Sequence, residues 1–103
     1  MACGLGFLKG GNLQTLTLIV RNMASGITGM ICDGGNHGCA MKGVVAVDAA
    51  YRAVELALTG ISIDARHGIN GCSPEDTMRN MGLIASPGMV ETERVIVDIM
   101  KNK

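Results

Sequence analysis

Four cysteines are the residues of this 103-residue chain best suited to chemistry. Cys32 and Cys39 are separated by six residues within the run Gly29-Met30-Ile31-Cys32-Asp33-Gly34-Gly35-Asn36-His37-Gly38-Cys39. Cys3 sits in a second glycine-rich stretch with Gly4, Gly6, Gly10 and Gly11. Thiolates that project from irregular, glycine-rich backbone can converge on a metal ion or a cluster, because neighbouring N–H groups are free to bond the sulfurs. The Cys32-x6-Cys39 spacing is not the Cys-x2-Cys pair of a zinc ribbon. A zinc ion could be held by Cys3, Cys32, Cys39 and either His37 or Cys72. The competing reading is that these cysteines are small buried hydrophobes, and spacing alone does not choose between them. Cys72, just ahead of a helix cap, reads as a core or surface thiol.

Other catalytic patterns are weaker. Asp33, Lys42 and His67 could each move a proton, although a solvated loop position accounts equally for Asp33 and better for His67. Gly4-x-Gly6 followed by Gly10 and Gly11 does not have the spacing of a dinucleotide loop, and no phosphate-binding Gly-x-x-x-x-Gly-Lys-Ser/Thr run is present. No Ser/His/Asp order or paired carboxylates stand out, so no catalytic residue is assigned.

Composition says what scaffold must carry the cysteines. Nine basic and nine acidic residues cancel, which removes the basic stripe that nucleic acid or an anionic membrane would require. Hydrophobic residues are 48% of the chain but aromatics only 2%, with eight Met and no Trp. The core must be aliphatic, and helices suit it better than a sandwich or barrel. No apolar run reaches the ~18 residues of a spanning helix, and no secretory signal opens the chain. These features predict a cytoplasmic protein with free thiols rather than disulfides.

The expected architecture is all-α, a bundle of about four helices with glycine-rich loops, residues 1–103 forming one domain. Leu13, Leu16, Val20 and Met23 predict a helix that starts after the N-cap Asn12 and stops near Gly26. Residues 40–59 predict a long helix, with Val44, Val47, Tyr51, Val54 and Leu58 on one stripe and alanines that admit close neighbours. That helix is expected to be buried on much of its circumference, and to end at Gly60. Asp48, Arg52 and Glu55 mark its exposed side. Ser73-Pro74-Glu75-Asp76 is a helix start, with cap, first-turn proline and acids that complement the dipole. A last helix follows Ser86-Pro87-Gly88. Residues 1–11 read as a turn-rich segment. Arg21-Asn22-Met23 and Arg79-Asn80-Met81 echo each other, too briefly to define a repeat.

On these residues the chain resembles a known family. Met30-Ile31-Cys32-Asp33-Gly34 with Gly38-Cys39-Ala40-Met41-Lys42, followed by an Ala-rich helix, is similar to the C-terminal part of the iron–sulfur L-serine dehydratase alpha domain, and most of all to its L-cysteine desulfidase-like branch. Cys3-Gly4 before Gly10-Gly11-Asn12-Leu13, and the ending from Gly88-Met89 to Met100, match as well. The resemblance implies an all-helical domain that binds a [4Fe–4S] cluster through Cys3, Cys32 and Cys39, with Gly34, Gly35 and Gly38 letting backbone amides approach it. It also implies an open iron that acts as a Lewis acid on L-serine or L-cysteine, eliminating water or sulfide to give pyruvate and ammonia without pyridoxal phosphate. Such enzymes are several times longer, with substrate-binding elements upstream. The chain is therefore expected to be incomplete alone and to form a homo-oligomer or to need an N-terminal partner segment. A non-catalytic helical interaction module and a small zinc-stabilised domain are the other readings.

Overall fold

The computed structural model describes residues 1–103. It contains five helices and no strand: α1 (Ala2–Leu8), α2 (Leu13–Ile27), α3 (His37–Leu58), α4 (Pro74–Leu83) and α5 (Val90–Lys101). The all-α class holds, with one helix more than expected. A wide turn, Ile84–Gly88, with Ser86 in extended backbone and a cis Ser86–Pro87 bond, joins α4 to α5. No helix is long and apolar enough to cross a membrane.

The local start and stop signals act as their chemistry dictates. Asn12 Oδ1 accepts the Thr15 amide at 3.0 Å and opens α2. Ser73 Oγ accepts the Asp76 amide at 3.1 Å, with Pro74 in the first turn of α4. At the end of α3 the Ile61 amide reaches back to Leu56 O and the Gly60 amide to Ala57 O. This six-to-one closure needs a left-handed residue, and Gly60 supplies it at φ 78°. The stop of α2 differs from expectation. The helix continues through Gly26 to Ile27, and it is Gly29, at φ 93°, that turns the chain.

Residues 2–8 correct the reading of the first segment as turns: they are helical, and Cys3 lies on α1. Two glycines weaken a helix by about 1 kcal/mol each, but here Gly6 is a contact surface. A Cβ on Gly6 would run into the end of the Ile19 side chain, so glycine lets α1 lie close to α2 without displacing it. Ala2, one turn earlier, is buried on the same face. Long-range packing overrides local propensity.

The core is a seam of small residues. Ile19 from α2 and Val54 from α3 are fully buried, with Ala2, Ala50 and Ala57 around them. On α3 the buried face is Ala50, Ala53, Val54 and Ala57, at the i, i+3, i+4, i+7 spacing of one helical side. The expected aliphatic stripe is therefore not the core: Val44, Val47, Tyr51 and Leu58 are exposed, and only Val54 of that set is buried. Asp48, Arg52 and Glu55 are exposed as expected. Only 10 of 103 residues are buried. The radius of gyration is 15.4 Å, against about 13 Å for a compact chain of this length. The extents of 49 × 27 × 16 Å describe an elongated, flattened shape.

The irregular connection over residues 60–73 is held by side chains from α2 and α4. Asn22 Nδ2 donates to Ala53 O and Ile61 O, while its Oδ1 accepts the Ile63 amide. Arg21 donates to Gly71 O and Cys72 O. Asn80 donates to Ile69 O, and buried Asn70 to Ser25 Oγ. Buried Thr77 accepts the Gly71 amide and donates to Ser73 O. The two similar Arg-Asn-Met triplets thus lie beside the same connection, with Asn22 and Asn80 both serving its carbonyls.

Truncation of the central side chain, Ile19→Ala, should cost about 2–5 kcal/mol, and Asn22→Ala about 1–3 kcal/mol through the carbonyls and amide left unpaired. Urea denaturation monitored by circular dichroism measures both.

Candidate metal centre

The site is built where loop 28–36 meets the first turn of α3. Asn36 caps that helix, its Oδ1 accepting the Gly38 amide at 2.7 Å. The helix starts three residues earlier than the hydrophobic period indicates, because His37, Gly38 and Cys39 follow the cap rather than the apolar stripe. Cys39 is therefore on helical backbone in the first turn of α3, and Cys32 is on the loop.

The fold brings these two thiols together. Cys32 Sγ and Cys39 Sγ are 3.6 Å apart, and both cysteines are free. Gly34, at φ 116°, and Gly35, at φ 64°, curl the loop so that their amides bond the Cys32 sulfur. Gly38 does something different: its amide is spent on Asn36. Its bare Cα leaves room for Asn36 Oδ1, which an added Cβ would meet at 2.9 Å, and for the Asp33 carboxylate at 3.6 Å. Asp33 Oδ1 accepts from Lys42 Nζ at 2.6 Å and lies 3.6 Å from Cys39 Sγ. Asp33 and Lys42 were readable in the sequence only as separate proton carriers. In the fold they form one bridge that ties the loop to α3.

The electrostatics follow from this wiring. The amides of Gly34 and then Gly35, the Cys39 thiol and the charge of Lys42 hold the Cys32 thiol below the ordinary thiol range. The Lys42 ammonium holds the Asp33 carboxyl below its usual range, and Asp33 in turn raises Lys42. The Asp33–Lys42 pair is half open to solvent at the carboxylate, so it orders the loop more than it stabilises the chain.

Helix α5 forms one wall. It packs against no other helix and rests on the Ile84–Gly88 turn. Met100 fills the space that a side chain on Gly34 would need, its Cε lying 2.6 Å from the position of such a Cβ. A cleft of about 160 Å³ opens beside Cys32, lined by Ile31, Met89, Thr92, Glu93 and Ile96. Thr92 and Glu93 carry no signal in the sequence that would link them to Cys32. Only the turn at 84–88 brings them there.

Cys3 does not join the pair. It packs on α1 against the core cluster that contains Ala50, Val54 and Ala57. Ala50 is already eleven residues along α3 from Cys39, about 16 Å of helix. No group of three His, Cys, Asp or Glu side chains is arranged to hold a metal ion; Asp33 lies beside Cys39, but its carboxylate is engaged by Lys42. His37 is exposed at the start of α3, and Cys72 is exposed in the 60–73 connection with its carbonyl held by Arg21. His67 is exposed in the same connection. The zinc set is thus not assembled. A three-thiolate [4Fe–4S] cluster finds two of its sulfurs in place and the third elsewhere, so the chain in this arrangement does not by itself enclose one.

The scaffold is all-helical, and its dithiol lies where a glycine-rich loop meets the first turn of α3. Residues 1–98 match the serine dehydratase alpha chain family, and the chain belongs to it. Among curated relatives, a UPF0597 protein of Clostridium botulinum (strain Hall) is 46% identical over 100 residues, which are 97% of this chain and 24% of that protein. A UPF0597 protein of Oleidesulfovibrio alaskensis is 43% identical over 101 residues, 98% of this chain and 24% of the relative. One of Caldanaerobacter subterraneus subsp. tengcongensis is 41% identical over 103 residues, all of this chain and 24% of the relative. The chain spans about a quarter of the length of the relatives it matches. No solved structure matches it.

Iodoacetamide should modify Cys32 with a half-maximal pH below that of the urea-unfolded chain. Lys42→Ala should move that midpoint upward, because a favourable charge is lost, and Asp33 should follow in the same direction. The Asp33 contribution to stability is present above the ordinary carboxylate range and is lost as pH falls through its lowered value. Peptide mass mapping of the alkylated cysteines, repeated across pH, measures the first two shifts.

Proposed function

We propose that this chain is the cluster-ligating part of a [4Fe–4S]-dependent β-eliminating lyase of the serine dehydratase type, acting on L-serine or L-cysteine to give pyruvate and ammonia. The observation that carries this reading is the Cys32–Cys39 pair, 3.6 Å apart with the Gly34 and Gly35 amides on one sulfur, in a chain of the serine dehydratase alpha family. Amide donors beside paired sulfurs are the surroundings that cluster thiolates use. In this reading Cys32 and Cys39 supply two ligands, and Cys3 becomes the third when α1 and the Cys32–Cys39 loop are repositioned toward each other. A reducing, cytoplasmic setting suits the four free thiols.

Catalysis then belongs to a larger assembly. The accessible surface is 6857 Å², roughly 1,300 Å² more than a compact monomer of this mass exposes. That excess exceeds the ~800 Å² that one partner contributes to a standard interface. Met41, Val44, Val45 and Tyr51 on α3 are exposed between about half a turn and about three turns from Cys39, and α5 has no buried residue at all. The natural cover is polypeptide equivalent to the three quarters of the relatives that this chain does not match, with a second copy as the competing occupant.

Anaerobic reconstitution with iron and sulfide tests the reading, for the chain alone and together with the unmatched part of the Clostridium botulinum relative. Bound iron should fall by most of its value in Cys32→Ala and Cys39→Ala and stay unchanged in Cys72→Ala. Pyruvate release from L-serine or L-cysteine should require the second polypeptide. Stoichiometric zinc, or iron binding indifferent to Cys39, would overturn the cluster reading. Turnover by the chain alone would overturn its incompleteness, and sedimentation of the chain as a stable dimer would make the second copy the cover.

A further inference from the structure

The dithiol has a reactivity of its own, independent of any metal. Cys32 Sγ and Cys39 Sγ are 3.6 Å apart, and a disulfide bond is about 2.05 Å long. Closing the gap asks for a shift of about 1.5 Å between the two sulfurs. The segment between them contains Gly34 and Gly35 at positive φ, where the backbone can rotate with the least steric cost. Asp33 Oδ1 accepts from Cys39 Sγ at 3.6 Å and from Lys42 Nζ at 2.6 Å, and no set of three ligands stands ready to hold a metal there.

The two positions differ in a way that divides the work. Cys32 is exposed and borders the 160 Å³ cleft, while Cys39 is half-buried on α3. A small molecule therefore meets Cys32 first. Cys39 stands directly behind it, close enough to resolve whatever forms there. The other cysteines are placed for neither role: Cys3 packs against the core cluster on α1, and Cys72 lies in the 60–73 connection.

We propose that Cys32 and Cys39 form a reversible oxidative modification site for hydroperoxides, closing to an intrachain disulfide. The Cys32 sulfur attacks the terminal peroxide oxygen, and the O–O bond breaks. The leaving oxygen takes a proton and departs as an alcohol, or as water when the oxidant is hydrogen peroxide. The resulting Cys32 sulfenic acid is attacked by the Cys39 sulfur; the S–S bond forms, the S–O bond breaks, and the hydroxide leaves as water with the Cys39 proton. Two thiols and one hydroperoxide become one disulfide, one water and one alcohol or second water. The sulfurs lose two electrons and the peroxide gains them. A dithiol reductant restores the pair by exchange. The disulfide occupies both sulfurs assigned above to iron, so the oxidised chain is closed to metal at this site. The geometry stands whether or not that assignment does, and iron content reports on the assignment separately.

The metal-free, reduced chain is treated with one equivalent of hydrogen peroxide, alkylated and mapped by peptide mass. The expected product is a Cys32–Cys39 peptide lighter by two hydrogens, formed at least ~10-fold faster than any change at Cys3 or Cys72 and reversed by dithiothreitol. Cys39→Ser should retain native helicity by circular dichroism and stop at a dimedone-reactive sulfenic acid on Cys32. Cross-links through Cys3 or Cys72, disulfide-linked dimers, or overoxidation of Cys32 as fast in the native chain as in Cys39→Ser would overturn the proposal. A chain that forms the disulfide yet takes up no iron when reduced would leave this site standing and remove the cluster reading; iron uptake without disulfide formation would do the reverse.

Discussion

Everything in this chain hangs on how closely α1, α2 and α3 can approach. With two aromatics in 103 residues, no large ring is available to fill space between widely separated helices. The fold brings backbones together instead: Gly6 against Ile19, and Ala50, Ala53 and Ala57 along one side of α3 around Val54. Such a seam depends on dispersion contacts that are individually small and close-range. An added methyl at Gly6 is obstructed and a lost methyl at Ile19 leaves a void, so the seam is sensitive to both. It also explains the shape. Small side chains bury little area, the core stays thin, and much aliphatic surface on α3 and α5 faces outward.

That geometry separates the cysteines. The seam fixes α1 on the C-terminal half of α3, and Cys3 goes with it, while Cys39 stays at the N-terminus of the same helix. The Cys32–Cys39 pair has a different origin. It is assembled locally by the Asn36 cap, two left-handed glycines and the Asp33–Lys42 bridge. Two of the three expected ligands are therefore brought together by short-range chemistry, and the third is placed by long-range packing. Only the short-range pair is already in place.

The same division decides what could be read from residues alone. Asn12, Ser73-Pro74 and Gly60 were legible as caps because each acts within a few residues of itself. The pairing of Cys32 with Cys39 was only half legible: six intervening residues with three glycines can fold back on themselves, but the spacing alone did not choose between converging thiols and buried ones, and the resemblance supplied the rest. Cys3 on a helix was not legible: its neighbours Gly4 and Gly6 argue for a turn until Ile19 is seen against Gly6. The stripe Val44-Val47-Tyr51 misled because periodicity identifies an apolar face without saying whether anything covers it. Alanines contribute weakly to that signal but admit the closest approach, and α3 buries them. Thr92 and Glu93 reach the Cys32 cleft through a turn whose direction no local pattern encodes.

Two sulfurs without a third define a site with two possible chemical fates. Thiolates that bind iron must be reduced and close, and those two conditions also permit disulfide formation. A complete three-thiolate site would spread the sulfurs around a metal core and hold them apart. In the present arrangement no metal core separates Cys32 and Cys39, and what fixes the two sulfurs is hydrogen bonding, from Cys39 to Asp33 and from the Gly34 and Gly35 amides to Cys32. The glycines that allow loop amides to reach the Cys32 sulfur also allow the loop to tighten. Drawing Cys3 toward the pair would require α1 to leave the Ile19–Val54 seam, or the loop and the N-terminus of α3 to bend toward it. The surface that such a movement would use is the apolar face of α3 around Met41, Val44 and Val45, which the chain leaves exposed. In the cluster reading proposed above, covering that face and completing the sulfur triangle would be two consequences of one assembly step.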